Sequence, residues 1–227
     1  MIRINKYISS SGFSSRRAAD LLIEQGRVTV NGKPMLELGF LVNPIKDKVE
    51  VDGRAIMPEM SKALIAFYKP RGILSSMSGT DSLADFVSSM PHRGLFHVGR
   101  LDRESEGLLI LSNDGNFAQK LIHPSFEVEK EYVVTLAADF TRENLENLRR
   151  GIELEDGPFK PLRVSRTGPN RILLVMKDGR NRVIRRAMGN LGHEVLRLLR
   201  TRIGGIELGP LQEGEWRYLK KHEKTSL

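Results

Sequence analysis

The apolar residues of this chain arrive in bursts of six or five, at 63–68 and 107–111, each closed by turn formers: Lys69-Pro70 after the first, Asn113-Asp114-Gly115 after the second. Bursts of that length build short strands and helix faces, and they fall far short of the roughly 20 residues a bilayer span needs. The rest of the chain keeps the same grain. A short helix is expected at 82–90 and a strand at 131–136. Thr141 caps a helix that Gly151 ends, and a strand at 172–176 precedes the turn Asp178-Gly179. A helix at 181–191 stops at Gly192, and two strands at 195–198 and 203–208 follow. Strands and helices are mixed without regular βαβ alternation, which predicts an α+β fold on a mixed or antiparallel sheet.

Residues 1–57 look self-contained. Two short helical patterns precede an extended 28–30, the turn Asn31-Gly32, and an extended 49–51 closed by Asp52-Gly53. Ser14 or Ser15 caps the second helix, whose first turn holds Arg16 and Arg17. That is the end where the helix dipole disfavours cations, so the pair is placed for a ligand rather than for helix stability. The motifs Asn5-Lys6-Tyr7-Ile8, Ser14-Ser15-Arg16-Arg17, Gln25-Gly26-Arg27-Val28 and Val30-Asn31-Gly32-Lys33 resemble an S4 RNA-binding domain, a small α-L fold that holds structured RNA by its backbone. The resemblance implies RNA contacts for Arg16, Arg17, Arg27 and Lys33. The stretch 54–62, with Pro58 and no periodicity, has linker character, which places the domains at 1–57 and 63–227 with a linker at 58–62.

Charge is concentrated rather than spread. Of the net +8, segment 171–202 carries nine basic residues against two acidic, and 1–54 carries nine against six, leaving the remainder slightly negative. Two basic patches favour a polyanionic partner at two surfaces, and the arginine-rich character of the second suits bidentate phosphate recognition. The absence of cysteine excludes disulfides, thiolate metal sites and cysteine nucleophiles, and it fits a reducing compartment, so a cytoplasmic location is expected. The five histidines lack ligand spacing, and no P-loop or dinucleotide fingerprint occurs, so neither metal nor nucleotide cofactor is expected. Chemistry would fall to carboxylates, arginines and tyrosines.

The segment Gly99-Arg100-Leu101-Asp102-Arg103 sets one carboxylate between two arginines in what looks like a loop entering the 107–111 strand. A carboxylate flanked by guanidiniums keeps its charge, the state a nucleophile or base needs. Taken alone, an aspartate in a glycine-containing loop is more often a turn or cap residue.

That segment, together with Glu106-Gly107-Leu108-Leu109, Ser112-Asn113-Asp114-Gly115, Lys130-Glu131-Tyr132, Gly179-Arg180-Asn181-Arg182, Arg185-Arg186 and 198–204, resembles the ordered motifs of bacterial rRNA pseudouridine synthases of the RsuA and RluB type. The resemblance covers essentially the whole chain. It implies a cofactor-free isomerisation in which the N1–C1′ bond of a flipped uridine breaks and the base rejoins through C5. It makes Asp102 the catalytic carboxylate, by attack at C1′ or by removal of a ribose proton. It makes Tyr132 the active-site tyrosine and Arg185 the arginine that forks onto the aspartate. Arg100 either fills the space the base leaves or contacts a phosphate; Arg180, Arg182 and Arg186 are implied as backbone ligands, and Leu198 as the pocket's apolar wall. Val183 stands where relatives commonly carry a polar residue. The implied partner is ribosomal RNA, with the large subunit favoured, or an assembly intermediate, met by a monomer. The alternative is a non-catalytic S4-bearing RNA-binding or ribosome-assembly factor.

Overall fold

A computed structural model describes residues 1–224, so the last three residues of the expected second domain lie outside it. By its contacts the chain divides into two units: one of Met1–Ala63 with Ser89–Phe96 and Ser112–Asp114, the other of Leu64–Ser88, His97–Leu111 and Gly115–Leu227. This differs from a single boundary at 58–62, because two later segments return to the N-terminal unit.

In the first unit the elements are β1 (Ile2–Arg3), α1 (Ile4–Ser10), α2 (Arg16–Glu24), β2 (Val28–Val30), β3 (Lys33–Pro34), β4 (Leu41–Val42), β5 (Val49–Val51) and β6 (Arg54–Ile56). Ser15, not Ser14, caps α2, its side chain accepting from the Ala18 amide. The helices bury one face each: Ile4, Tyr7 and Ile8 from α1, and Ala19, Leu22 and Ile23 from α2. These meet Val28, Val30, Val49 and Val51 of the sheet ordered β3-β2-β5-β6. Each such side chain contributes roughly 1.5–3 kcal/mol of hydrophobic stabilisation. Residues 54–56, expected as linker, form β6 against β5, and the Ile56 carbonyl accepts from the Tyr7 hydroxyl at 3.1 Å. Their apolar content was too small to show a strand in sequence.

The later elements are β7 (Leu64–Lys69), α3 (Leu83–Val87), β8 (Phe96–Val98), β9 (Glu106–Ser112), α4 (Gly115–Ile122), β10 (Lys130–Leu136), α5 (Arg142–Arg150), β11 (Arg163–Gly168), β12 (Arg171–Met176), α6 (Val183–Asn190), β13 (Val195–Ile203), β14 (Ile206–Glu207) and β15 (Trp216–Tyr218). The sheet runs β11-β12-β10-β13-β9-β7-β15. β10 is antiparallel to both neighbours, whereas β13 and β9 run parallel, so the sheet is mixed as expected. All seven residues of β9 are buried, which places its apolar run at the centre. The two strands expected at 195–198 and 203–208 are instead one nine-residue β13 and a two-residue β14. Among the described residues no helix is long and apolar enough to cross a membrane.

Candidate active site

The loop 99–105 joins β8 to β9. Gly99 turns it at φ +78, a conformation that disfavours a side chain. Ser75 then clasps Leu101 from both sides, accepting from its amide at 3.1 Å and donating to its carbonyl at 2.7 Å. The Arg103 carbonyl accepts from the Gly72 amide at 2.8 Å, and the Arg103 Nε donates to the Gly72 carbonyl at 2.8 Å. Between these anchors Asp102 is partly exposed, and its carboxylate makes no hydrogen bond or ion pair among the described residues. The expected flanking of the carboxylate by guanidiniums is not formed by Arg103, which turns to Gly72 and to Asp81 at 3.2 Å.

Asp102 borders a cavity of about 440 Å³ that Arg100, Tyr132, Leu198, Arg180 and Arg182 also line. Tyr132 and Leu198 reach it from adjacent strands: Tyr132 pairs with Arg200, and Leu198 with Val134. Both are buried, Tyr132 at 6% and Leu198 at 6% exposure. Tyr132 thus supplies a ring face and a hydroxyl with no internal partner among the described residues. Arg100 is exposed, and among the described residues only its backbone carbonyl is engaged. Val183 opens α6, buried at 2%, and is part of the lining.

The remaining arginines have partners within the fold. Arg185 makes no ion pair with Asp102 in this structure. Its Nη1 donates to the Val195 carbonyl at 2.9 Å and its Nη2 to the Glu104 carbonyl at 3.0 Å, while the Glu104 carboxylate stands 4.0 Å from Nε. Burial pulls the Arg185 guanidinium below the usual arginine range, and the Glu104 and Asp102 charges oppose that shift. Arg180, Arg182 and Arg186 each pair with a carboxylate of the protein. Arg180 bonds the Asp178 carboxylate at 2.7 and 2.8 Å, Asp156 at 3.0 Å, and the carbonyls of Gly157 and Pro158. Arg186 forks onto Asp156 with two contacts of 2.8 Å, and Arg182 reaches Glu104 at 3.2 Å. The local cause is the loop before β11, which brings Asp156 against the start of α6. In the N-terminal unit Arg27 is forked onto Asp52 at 2.6 and 2.8 Å. Arg16, Arg17 and Lys33 are exposed and have no partner among the described residues.

Three groups at or near the site escaped the sequence reading. Lys130 lines the cavity, its ammonium donating to the Lys177 carbonyl at 3.1 Å; burial, with Arg200 beside it, holds it below the usual lysine range. Lys69 is fully buried, bonded to the Pro70 and Ile73 carbonyls at 2.8 and 2.7 Å, and burial brings its pKa down to about 8. Arg200 is buried at 3% and also lines the cavity. The only signal for these was their place beside recognised motifs, since nothing in a sequence distinguishes a buried cation from a solvated one.

A loop carboxylate, a buried tyrosine and an apolar wall around one cavity, in a chain that begins with a basic helical unit, have the organisation of an RNA-modifying enzyme. Comparison with known proteins agrees: residues 63–190 match the family model for RNA pseudouridylate synthase, and residues 2–49 match that of the S4 domain. An Aquifex aeolicus protein described as an uncharacterized RNA pseudouridine synthase is 40% identical, covering 100% of this chain and 93% of the relative. The Bacillus subtilis ribosomal large subunit pseudouridine synthase B is 38% identical over 100% of this chain and 96% of its own. A crystal structure of a pseudouridylate synthase superposes with a TM-score of 0.72 at 27% identity, covering 100% and 99% of the two chains. The chain belongs to the RNA pseudouridine synthase family, with an S4 domain at its N-terminus.

Proposed function

We propose that this protein converts a uridine of large-subunit ribosomal RNA to pseudouridine, with Asp102 as the carboxylate that acts on the ribose. The observation that carries the reading is the convergence of Asp102, Tyr132 and Leu198, from three separate stretches of chain, on one cavity. In the reaction the N1–C1′ bond breaks with its electron pair on the base, and Asp102 either bonds C1′ or takes a ribose proton. The freed base turns, C5 bonds C1′ as the Asp102–C1′ bond breaks or as the ribose proton returns to the sugar, the C5 proton leaves and N1 gains one, so the net change is an isomerisation. Tyr132 supports the unstacked uracil and Leu198 walls it. Arg100, exposed, enters the RNA where the base departs. Arg16, Arg17 and Lys33, exposed and unpaired among the described residues, contact RNA phosphates away from the reacting base. Arg185 is proposed to swing to Asp102 when RNA binds. The protein acts in the cytoplasm as a monomer, on free rRNA or on an assembly intermediate.

The test is conversion of uridine in unmodified ribosomal RNA, with the product mapped to its nucleotide. Asp102→Asn keeps the shape of the side chain and removes its nucleophilic and basic character, so product should fall below about 1% of wild type while RNA affinity stays nearly constant. Turnover above that level in the variant would remove Asp102 from the mechanism. A product confined to small-subunit RNA would overturn the choice of subunit.

A further inference from the structure

Two residues that line the cavity each hold a buried polar atom with no partner among the described residues: the Ser105 hydroxyl and the Nη2 of Arg200. Ser105 is 1% exposed and Arg200 3%. Leaving such a group buried and unbonded is costly, so two of them at one cavity call for a ligand that satisfies both.

The sheet makes them neighbours. Arg200 pairs with Gly107, and Ser105 stands one residue before the Glu106–Leu199 pair. Gly107 has no side chain, and a Cβ there would lie 2.4 Å from the Arg200 carbonyl, so this close crossing depends on it. Arg200 uses Nε on the Leu108 carbonyl at 2.7 Å and Nη1 on the Arg100 carbonyl at 3.3 Å, in the loop that carries Asp102. Among the described residues no carboxylate lies within ion-pair distance of Arg200, so its buried charge is uncompensated.

We propose that Ser105 and Arg200 read the edge of the flipped uracil, Arg200 Nη2 donating to O4 and Ser105 Oγ accepting the N3 hydrogen. The burial of both groups favours a base over a phosphate, because a phosphate stays with the strand and only an unstacked base enters a cavity. O4 is the carbonyl that separates uracil from cytosine. Cytosine would set its amino hydrogens against the Arg200 N–H and leave the guanidinium unsatisfied, a mismatch that rejects far more strongly than a change of size.

The inference rests on the cavity being the uridine site, and the experiment separates the two. Single-turnover rates at saturating RNA are measured on a fragment spanning the mapped nucleotide, carrying uridine, 4-thiouridine or 3-methyluridine there. Sulfur accepts hydrogen bonds poorly, and the methyl group removes the N3 hydrogen. Wild type should slow about tenfold or more on each analogue. Arg200→Lys should be slow on uridine yet no longer distinguish 4-thiouridine, and Ser105→Ala should no longer distinguish 3-methyluridine. Wild type converting 4-thiouridine and 3-methyluridine at the uridine rate would overturn the proposal even if neither variant folded. So would variants that keep the wild-type ratio between substrates, the pattern expected of a purely structural role. If wild type fails to convert uridine itself, it is the reading of the cavity that falls.

Discussion

At the residue scale, the arginines show how far a residue's type is from its role. Arg180 was expected to hold RNA backbone, yet it is wrapped by Asp178, Asp156 and two carbonyls. Arg180→Ala should therefore cost about 2 kcal/mol of stability by denaturant unfolding, because Asp178 loses its partner, and should leave the salt dependence of RNA affinity unchanged. Arg185→Lys keeps a charge but cannot hold the Val195 and Glu104 carbonyls as a fork, nor the Asp102 carboxylate it is proposed to meet when RNA binds. Single-turnover rate at saturating RNA should drop roughly ten- to a thousandfold, with affinity nearly constant. Lys69 gives a pH signature. Its folded pKa of about 8 lies below the unfolded 10.5, so between those values the unfolded chain holds a proton the folded one has shed, and stability rises with pH through that window. Unfolding free energy of wild type relative to Lys69→Met should accordingly grow from pH 8 to 10.5 and be flat below it. Asp102, Tyr132 and Leu198 stood out in sequence because their order along the chain resembles a family's, and the fold brings them to one cavity. Ser105, Lys69 and Arg200 were not, because burial without a counter-charge arises only when separate strands close over a side chain.

At the element scale, periodicity found the cores of β7, β9, β10, β12 and α5 and misjudged what lies between. The turn former Gly115 closes β9 as expected but also opens α4, which a reading of Asn113-Asp114-Gly115 as a turn alone could not show. β11, with the sequence Arg-Val-Ser-Arg-Thr-Gly, has too little apolar alternation to declare a strand, and it exists because β12 offers it a partner. β13 was split in two because Arg200 and Arg202 interrupt its apolar pattern, whereas the strand runs through them. Its crossing with β9 depends on Gly107, at φ +100, where an added Cβ meets the Arg200 carbonyl. Gly107→Ala should destabilise the protein by about 3 kcal/mol or more, or prevent soluble expression, while Gly179→Ala, with open space around it, should be close to neutral. Thermal unfolding of the two variants side by side checks this.

At the scale of the whole molecule, the positive charge of 171–202 is largely answered within the fold. Arg197 pairs with Glu106, Arg202 with Glu129, and Arg180 and Arg186 with Asp156. The net charge counted along the sequence therefore overstates what this segment offers a polyanion. Arg16 and Arg17 keep theirs, and replacing both with alanine should lower the salt slope of RNA affinity by about two units. Their unit is also the one that the chain leaves and rejoins. Gly94 packs where a Cβ would lie 2.9 Å from the Ser9 carbonyl, and Gly12 lies against Arg93. Segments 89–96 and 112–114 belong with residues 1–63, which has a consequence in time. During synthesis at about 5–20 residues per second, the first 63 residues wait roughly 3–10 s for residue 114 to be made before the unit can close. A nascent chain in that interval carries an S4 core with its last pieces still to come, and a stop codon or a slow codon between residues 63 and 114 would prolong that unfinished state.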